Sequence, residues 1–290
     1  MKDICCIGHI THDKIITPQG EYDMPGGTSY YFANAINSLP DDISFSLITK
    51  VGADAMPVVK DLRSKGVDVK AFDSRQTVFF ENKYGNNPDQ RSQRVLAKAD
   101  AFMVEELEDV DARIFHLGSL LADDFSIDVV RSLAARGKVS IDAQGYLREV
   151  RGERVYPIAW QNKAQFLSCV DILQMDENEI FATAGTNSAI EAARCLAAQG
   201  VKEVVITLGS KGSLIYAEGT LHEIPAYKPR QVVDTTGCGD TYSAGYLYAR
   251  SNGESYAEAG KFAAAMCTLK LEKPGAFCAD INQVNELCKA

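Results

Sequence analysis

Val233-Asp234-Thr235-Thr236-Gly237-Cys238-Gly239-Asp240-Thr241-Tyr242-Ser243-Ala244-Gly245 is the stretch on which the rest of the chain turns. Apolar Val232 and Val233 lead into an acid, two hydroxyl residues, two glycines around one small residue, and a second acid. Beyond Asp240 the pattern becomes helical, with Tyr242, Gly245, Tyr246 and Ala249 at spacings of three and four. Glycines let a backbone curl so that successive N–H groups face one point, and a helix starting there adds its positive dipole end. The expected product is a pocket for a phosphate or a developing oxyanion, with Asp240 at its lip. A carboxylate beside an anion hole is electrostatically poor unless it has work to do. Taking a proton from an attacking hydroxyl while the hole holds a phosphoryl group is such work.

Working outward, apolar strand-like runs alternate with helical patterns from residue 112 on: strands near 114–118, 138–142, 171–175 and 203–208, and helices near 126–136, 187–199, 240–251 and 255–270. That rhythm predicts an α/β fold, a mainly parallel sheet covered by helices on both faces. The first half opens with a buried strand over Ile4–Ile10 that meets Asp13, then a turn-rich stretch from Thr17 to Pro25, then Gly26-Gly27 ahead of a helix from Ser29 to Leu39. Residues 77–83 and 94–97 flank Gly85-Asn86-Asn87-Pro88-Asp89 and read as a hairpin, which with 12–25 makes a small sheet apart from the main one. No repeat or long linker appears, so residues 1–290 are expected to form one domain with lid segments near 12–25 and 77–97.

The totals exclude several classes. The chain has 290 residues, 46% hydrophobic, with a net charge of −9 and no basic cluster, which argues against nucleic acid. No apolar run reaches the ~20 residues of a membrane span, and the N-terminus lacks a signal-peptide pattern. The eight cysteines show no metal-ligand spacing and read as reduced, small core residues of a cytoplasmic protein. His9 and His12 have no third ligand and read as structural.

Further candidates stand at predicted strand ends, where open α/β sheets bind ligands. Asp13 either holds substrate hydroxyls or caps a turn; Gly26-Gly27 either admits a ligand to a helix start or only turns the chain. Thr207, Gly209 and Gly212 suit a nucleotide phosphate or ribose, or simply make a hairpin. Asp176 and Glu179 either carry a water-bridged Mg²⁺ or favour a helix start through its dipole. Asp142 and Gln144 could hold hydroxyls and Arg148 could clamp a phosphate, or all could belong to an ordinary loop.

The run Asp234-Thr235-Thr236-Gly237-Cys238-Gly239-Asp240-Thr241 resembles the C-terminal signature of the ribokinase-like (PfkB) carbohydrate kinases, with Cys238 in place of the usual alanine. Asp13, Gly26-Gly27, Val51-Gly52 with Asp54, Lys65-Gly66-Val67 and Thr207-Leu208-Gly209 with Gly212 follow in the family's order. The resemblance implies a three-layer α/β/α sandwich with a small β lid, and transfer of the γ-phosphoryl of Mg·ATP to a hydroxyl of a small sugar or polyol. It implies Asp240 as base, the amides of Gly237, Cys238 and Gly239 as an anion hole, a nucleotide site at Thr207, Gly209 and Gly212, and Asp176 with Glu179 as a magnesium motif. It further implies a monovalent cation such as K⁺ at Asp234 and Thr236, with Gly275, and a substrate site at Asp13 and Gly27. In some relatives the lid is also a dimer interface, which leaves monomer and homodimer both open. Tyr31 stands where most sugar kinases of this family carry Asn, and the segment Asp142–Arg148 also departs from their form. Both are more similar to the myo-inositol kinase-like branch, and a nucleoside acceptor also stays open. A binding-only regulatory protein is disfavoured because Asp240 is intact. A dinucleotide oxidoreductase is excluded, because Gly8-His9-Ile10-Thr11-His12-Asp13 is not a Gly-x-Gly-x-x-Gly turn.

Overall fold

The computed structural model describes residues 1–18, 20–84 and 91–289; the Gly85–Asp89 turn expected from the sequence lies outside them. A nine-stranded sheet forms the centre. Its strands, in spatial order, are Thr220–Ile224, Ser213–Ala217, Glu203–Thr207, Ile172–Asp176, Lys138–Asp142, Ala112–Gly118, Lys2–Gly8, Phe45–Val51 and Val69–Asp73. All neighbours from Glu203–Thr207 to Val69–Asp73 pair in parallel, and the remaining edge is an antiparallel hairpin.

The alternation of side chains along a strand divides the core in two. Ile4 and Cys6 face the layer built by helices Thr28–Asn37, Met56–Ser64, Cys238–Ser251 and Tyr256–Leu271. Cys5 and Ile7 face the opposite layer, with helices Ile127–Ala134 and Ala189–Ala198. Covering both faces explains why these strands are apolar throughout rather than alternating. Not every cysteine is a core residue: Cys195 and Cys278 are exposed.

Helix Cys238–Ser251, the continuation of the signature stretch, is deeply enclosed. Thr241 through Ala249 are all buried. A Cβ on Gly245 would stand 2.7 Å from Met266 Sδ and 3.1 Å from Ala263 Cα, so glycine lets helix Tyr256–Leu271 cross closely. Its outer face is tied to the sheet by Tyr242 Oη to Ser213 Oγ at 2.7 Å and by Tyr246 Oη donating to Glu203 at 2.6 Å. The helix start is therefore held rigidly against the carboxyl ends of the central strands.

A second, six-stranded sheet stands beside those ends, in the order Arg148–Arg151, Arg154–Pro157, Arg91–Ala97, Val78–Tyr84, Thr11–Thr17, Gly20–Gly26. It differs from expectation in two respects. Residues 148–157, to which the sequence reading assigned no strand, supply a hairpin. Asp13 does not end the first strand, which stops at Gly8; it lies within Thr11–Thr17, opposite Met24 on one side and Phe80 on the other. Val78, Phe80 and Val95 pack on Leu120 and Leu121 beneath this sheet. Helix Ile281–Cys288, which the sequence reading missed, opens with a capping box from Asp280 and Gln283.

Candidate active site

Gly237 takes a left-handed conformation (φ 75°) as the last residue before helix Cys238–Ser251, and no side chain caps the helix. Thr241 returns both its amide and its hydroxyl to Gly237 O. The Cys238 amide turns back to Thr235 O at 3.3 Å. Among the described residues the amides of Gly237, Gly239 and Asp240 have no protein partner, so the unbonded donors begin at Gly237 and skip Cys238. Gln174, a polar residue inside the buried strand Ile172–Asp176, donates to Gly239 O at 2.9 Å and accepts from Ser243 Oγ at 2.7 Å. It clamps the first turn of the helix. Sequence reasoning passed over Gln174, although a lone amide in an apolar strand was the available signal.

Burial pushes the Asp240 carboxyl up to about 8, and the Asp142 carboxylate adds to the effect. Tyr31 lies against Gly237: a Cβ there would meet the Tyr31 ring at 2.4 Å. The Tyr31 hydroxyl is buried with no hydrogen-bond partner, and its ionisation is suppressed by burial, then by the nearby charges of Asp13, Asp234 and Asp240. Asp13 and Asp240 thus flank the same side chain, although one comes from a strand of the second sheet and the other from the first turn of helix Cys238–Ser251. The Asp13 carboxylate accepts from Thr11 Oγ1 at 2.6 Å. Its Oδ2 would be 2.5 Å from a Cβ on Gly26, and one on Gly27 would be 2.5 Å from His9 O. Both glycines are therefore needed where the second sheet meets helix Thr28–Asn37.

Asp142, Asp176 and Glu179 gather at the ends of adjacent parallel strands. Asp176 Oδ1 accepts from the amides of Asn178 and Glu179, and the Glu179 carboxylate accepts from the Asp176 amide at 3.0 Å. Burial first, then the charges of Asp142 and Asp176, raise Glu179; burial chiefly raises Asp142, opposed by the Gln144 amide and the Arg148 charge. Arg148 starts a strand of the second sheet and brings its charge to these acids.

The Thr207–Gly212 turn follows strand Glu203–Thr207 and closes with Leu208 N donating to Gly212 O at 2.8 Å. Lys211 pairs with Glu177 at 2.7 Å, which ties this turn to the acidic one. Gly212 is required by packing in any case: a Cβ would be 2.0 Å from Ile224 O. A cleft of about 530 Å³ opens beside the turn, lined by residues including Ser188, Leu208, Lys211, Ser213, Glu223 and Pro225.

The sequence resemblance pointed to a monovalent cation at Asp234 and Thr236, with Gly275. Instead the Lys270 ammonium donates to Asp234 O at 3.0 Å and to Oδ2 at 3.1 Å. The amides of Thr236 and Gly275 donate to the same carboxylate. His9 and His12 also part company: His9 Nδ1 faces Lys50 O at 3.2 Å in the core, and His12 stacks on Phe79.

A family model of the pfkB family carbohydrate kinases matches residues 1–281. This chain belongs to the PfkB family. It is a phosphotransferase acting on hydroxyl groups. A cytidine kinase of Thermococcus kodakarensis is 28% identical over 268 residues, covering 89% of this chain and 92% of that protein. A pyrophosphate-dependent kinase in the ribokinase family, solved with a pyrophosphate analog and myo-inositol, superposes with a TM-score of 0.83 at 26% identity, covering 94% and 97% of the two chains. Arabidopsis thaliana ribokinase, solved with ribose and ATP, shares the PfkB fold with a TM-score of 0.80 at 22% identity, covering 100% and 99%. No helix among the described residues is long and apolar enough to cross a membrane.

Proposed function

We propose that this kinase transfers the γ-phosphoryl group of Mg·ATP to a hydroxyl of a small sugar or polyol, with Asp240 as general base. The observation that carries the reading is one juxtaposition: unbonded amides of Gly237, Gly239 and Asp240 at a helix start, beside a carboxyl whose pKa is raised to about 8. A base poised near the working pH takes a proton efficiently, and fixed donors at the developing charge account for much of phosphoryl transfer. The acceptor hydroxyl lies between Asp13 and Asp240. Asp240 takes its proton as the oxygen attacks phosphorus in line, the new O–P bond forms, and the bond to the departing ADP oxygen breaks. Gly26, Gly27, Tyr31 and Gln144 shape the acceptor pocket, and Arg148 steadies the phosphates. Thr207, Gly209 and Gly212 receive the nucleotide, for which the adjoining cleft leaves room.

The acids at the ends of strands Lys138–Asp142 and Ile172–Asp176 fit a magnesium ion. Glu179 and Asp142 repel one another, which a divalent cation offsets. Mg²⁺ keeps several of its waters and leans on phosphate oxygens, so one or two of these carboxylates would suffice. When bound near Asp176 and Glu179, Mg²⁺ supplies charge neutralisation at the phosphoryl group. The second sheet acts as the lid over the acceptor.

The test is product formation with ATP or pyrophosphate as donor, across myo-inositol, ribose, fructose, 2-keto-3-deoxygluconate and nucleosides. ATP-dependent phosphorylation of a sugar or polyol is expected. Turnover only with a nucleoside would move the acceptor towards that of the cytidine kinase relative. Turnover only with pyrophosphate would replace the donor, as in the myo-inositol-bound neighbour. No turnover with any pair refutes the reading.

A further inference from the structure

We propose that the Lys270 ammonium is a built-in cation that takes the place of a monovalent metal ion behind the anion hole, so that this kinase needs no K⁺. The inference rests on the kinase reading above.

An ammonium head and a potassium ion carry the same charge and are close in size, so they compete for the same oxygens. Asp234 offers its backbone carbonyl and its carboxylate, and Lys270 Nζ already holds both, at 3.0 and 3.1 Å. The remaining capacity of that carboxylate goes to two amides, Thr236 at 2.9 Å and Gly275 at 3.1 Å. Gly275 thus presents a donor there, the wrong polarity for a metal ligand. The Lys270 side chain is 0% exposed. A buried ammonium persists only when paired and hydrogen-bonded, and Asp234 supplies both the opposite charge and two acceptors. Lys270 also stands in the last turn of helix Tyr256–Leu271, where the negative dipole end favours a cation.

The placement matters for the reaction because the same segment leads into the hole. Val233 N donates to Leu271 O at 2.7 Å, which fastens the start of the signature stretch to the helix that carries Lys270. The ammonium charge is felt at Cys238, the first residue of the anion-hole helix, where it opposes the effect of burial on the thiol. A tethered charge at this distance favours a bound phosphate without having to be recruited from solution. Lys270 is a positioning residue: it acts through Asp234 and its loop, not by touching substrate.

Two readouts test this, turnover and thermal unfolding, each in KCl and in choline chloride at equal ionic strength. The wild type is expected to show the same turnover and melting temperature in both salts. Lys270→Ala removes the charge and opens its space. Its kcat is expected to fall by about tenfold or more, with the acceptor KM moving less. In KCl or NH₄Cl, but not choline chloride, kcat and melting temperature should both recover. Lys270→Met removes the charge but fills the space, and should lose turnover without recovery. Higher turnover or melting temperature of the wild type in KCl overturns the proposal. So does a folded Lys270→Ala that works as well as wild type in choline chloride. If Lys270→Ala fails to fold, Lys270→Met and the wild-type comparison still decide. If no substrate is found, the melting comparison decides alone, which separates this proposal from the kinase reading.

Discussion

Replacing Asp240 with Asn should make the protein more stable and nearly inactive, and the two effects should have different pH dependences. An ordinary aspartate titrates near 3.8, whereas burial beside Asp142 moves Asp240 to about 8. A folded-state pKa above the unfolded one means that the proton is held more tightly in the native state. Its stabilisation is complete below pH ~4 and is lost as pH rises through about 8. At about 1.4 kcal/mol per pH unit, the interval from pH 5 to pH 8 carries at most about 4 kcal/mol from this one group. Asn has no such proton, so the stability difference between variant and wild type should widen over that interval by about 2 kcal/mol or more. Chemical denaturation of both proteins at pH 5 and pH 8 measures it, and the change in the difference cancels whatever Asn alters at all pH values. Turnover of Asp240→Asn should fall by at least about 10²-fold. The kcat/KM of wild type should rise through an ascending limb well above the usual carboxylate range. A variant that keeps more than about a tenth of wild-type turnover removes Asp240 as base. A stability difference that stays flat between the two pH values removes the claim that its charge is strained.

Further perturbations probe the surroundings of this residue. Gly237→Ala must place a side chain at φ 75° and 2.4 Å from the Tyr31 ring, so it should cost about 2–5 kcal/mol; pairing it with Tyr31→Ala should return the steric share in a double-mutant cycle. Gln174→Leu removes the bonds to Gly239 O and Ser243 Oγ and strands a buried hydroxyl, so denaturation should show a loss of about 2–3 kcal/mol, with kcat falling more than the acceptor KM rises. Tyr31→Phe deletes a buried hydroxyl that bonds nothing in the protein, so stability should hold or rise slightly, while the acceptor KM should change if that hydroxyl meets substrate.

Some of these features could be read along the chain and others could not. The buried parallel strands were legible because their apolar runs have their own period. The strand Lys138–Asp142 falls where the pattern places it. The hairpin at 148–157 was not legible, because Arg148-Glu149-Val150-Arg151 carries charges at an exposed edge and has no apolar run. Lys270 left a trace, a charge on the helical face of Ala263 and Met266, but its partner Asp234 is 36 positions away in the chain. Gly212 illustrates the reverse. Its place in a glycine-rich turn suggested a ligand, whereas the close passage of Ile224 already requires it.

The sequence by itself determined the stretch Val233–Gly245 as a helix start with amides and an acid, because glycine freedom, helical period and the order of residues are local properties. Only the tertiary structure decided what surrounds it. The fold brings Tyr31 against Gly237, Gln174 onto Gly239, Asp142 towards Asp240 and the Lys270 ammonium onto Asp234. Each of these meetings joins segments far apart in the chain. Close packing and the need to pair buried charge choose them, and neither leaves a periodic mark in a sequence.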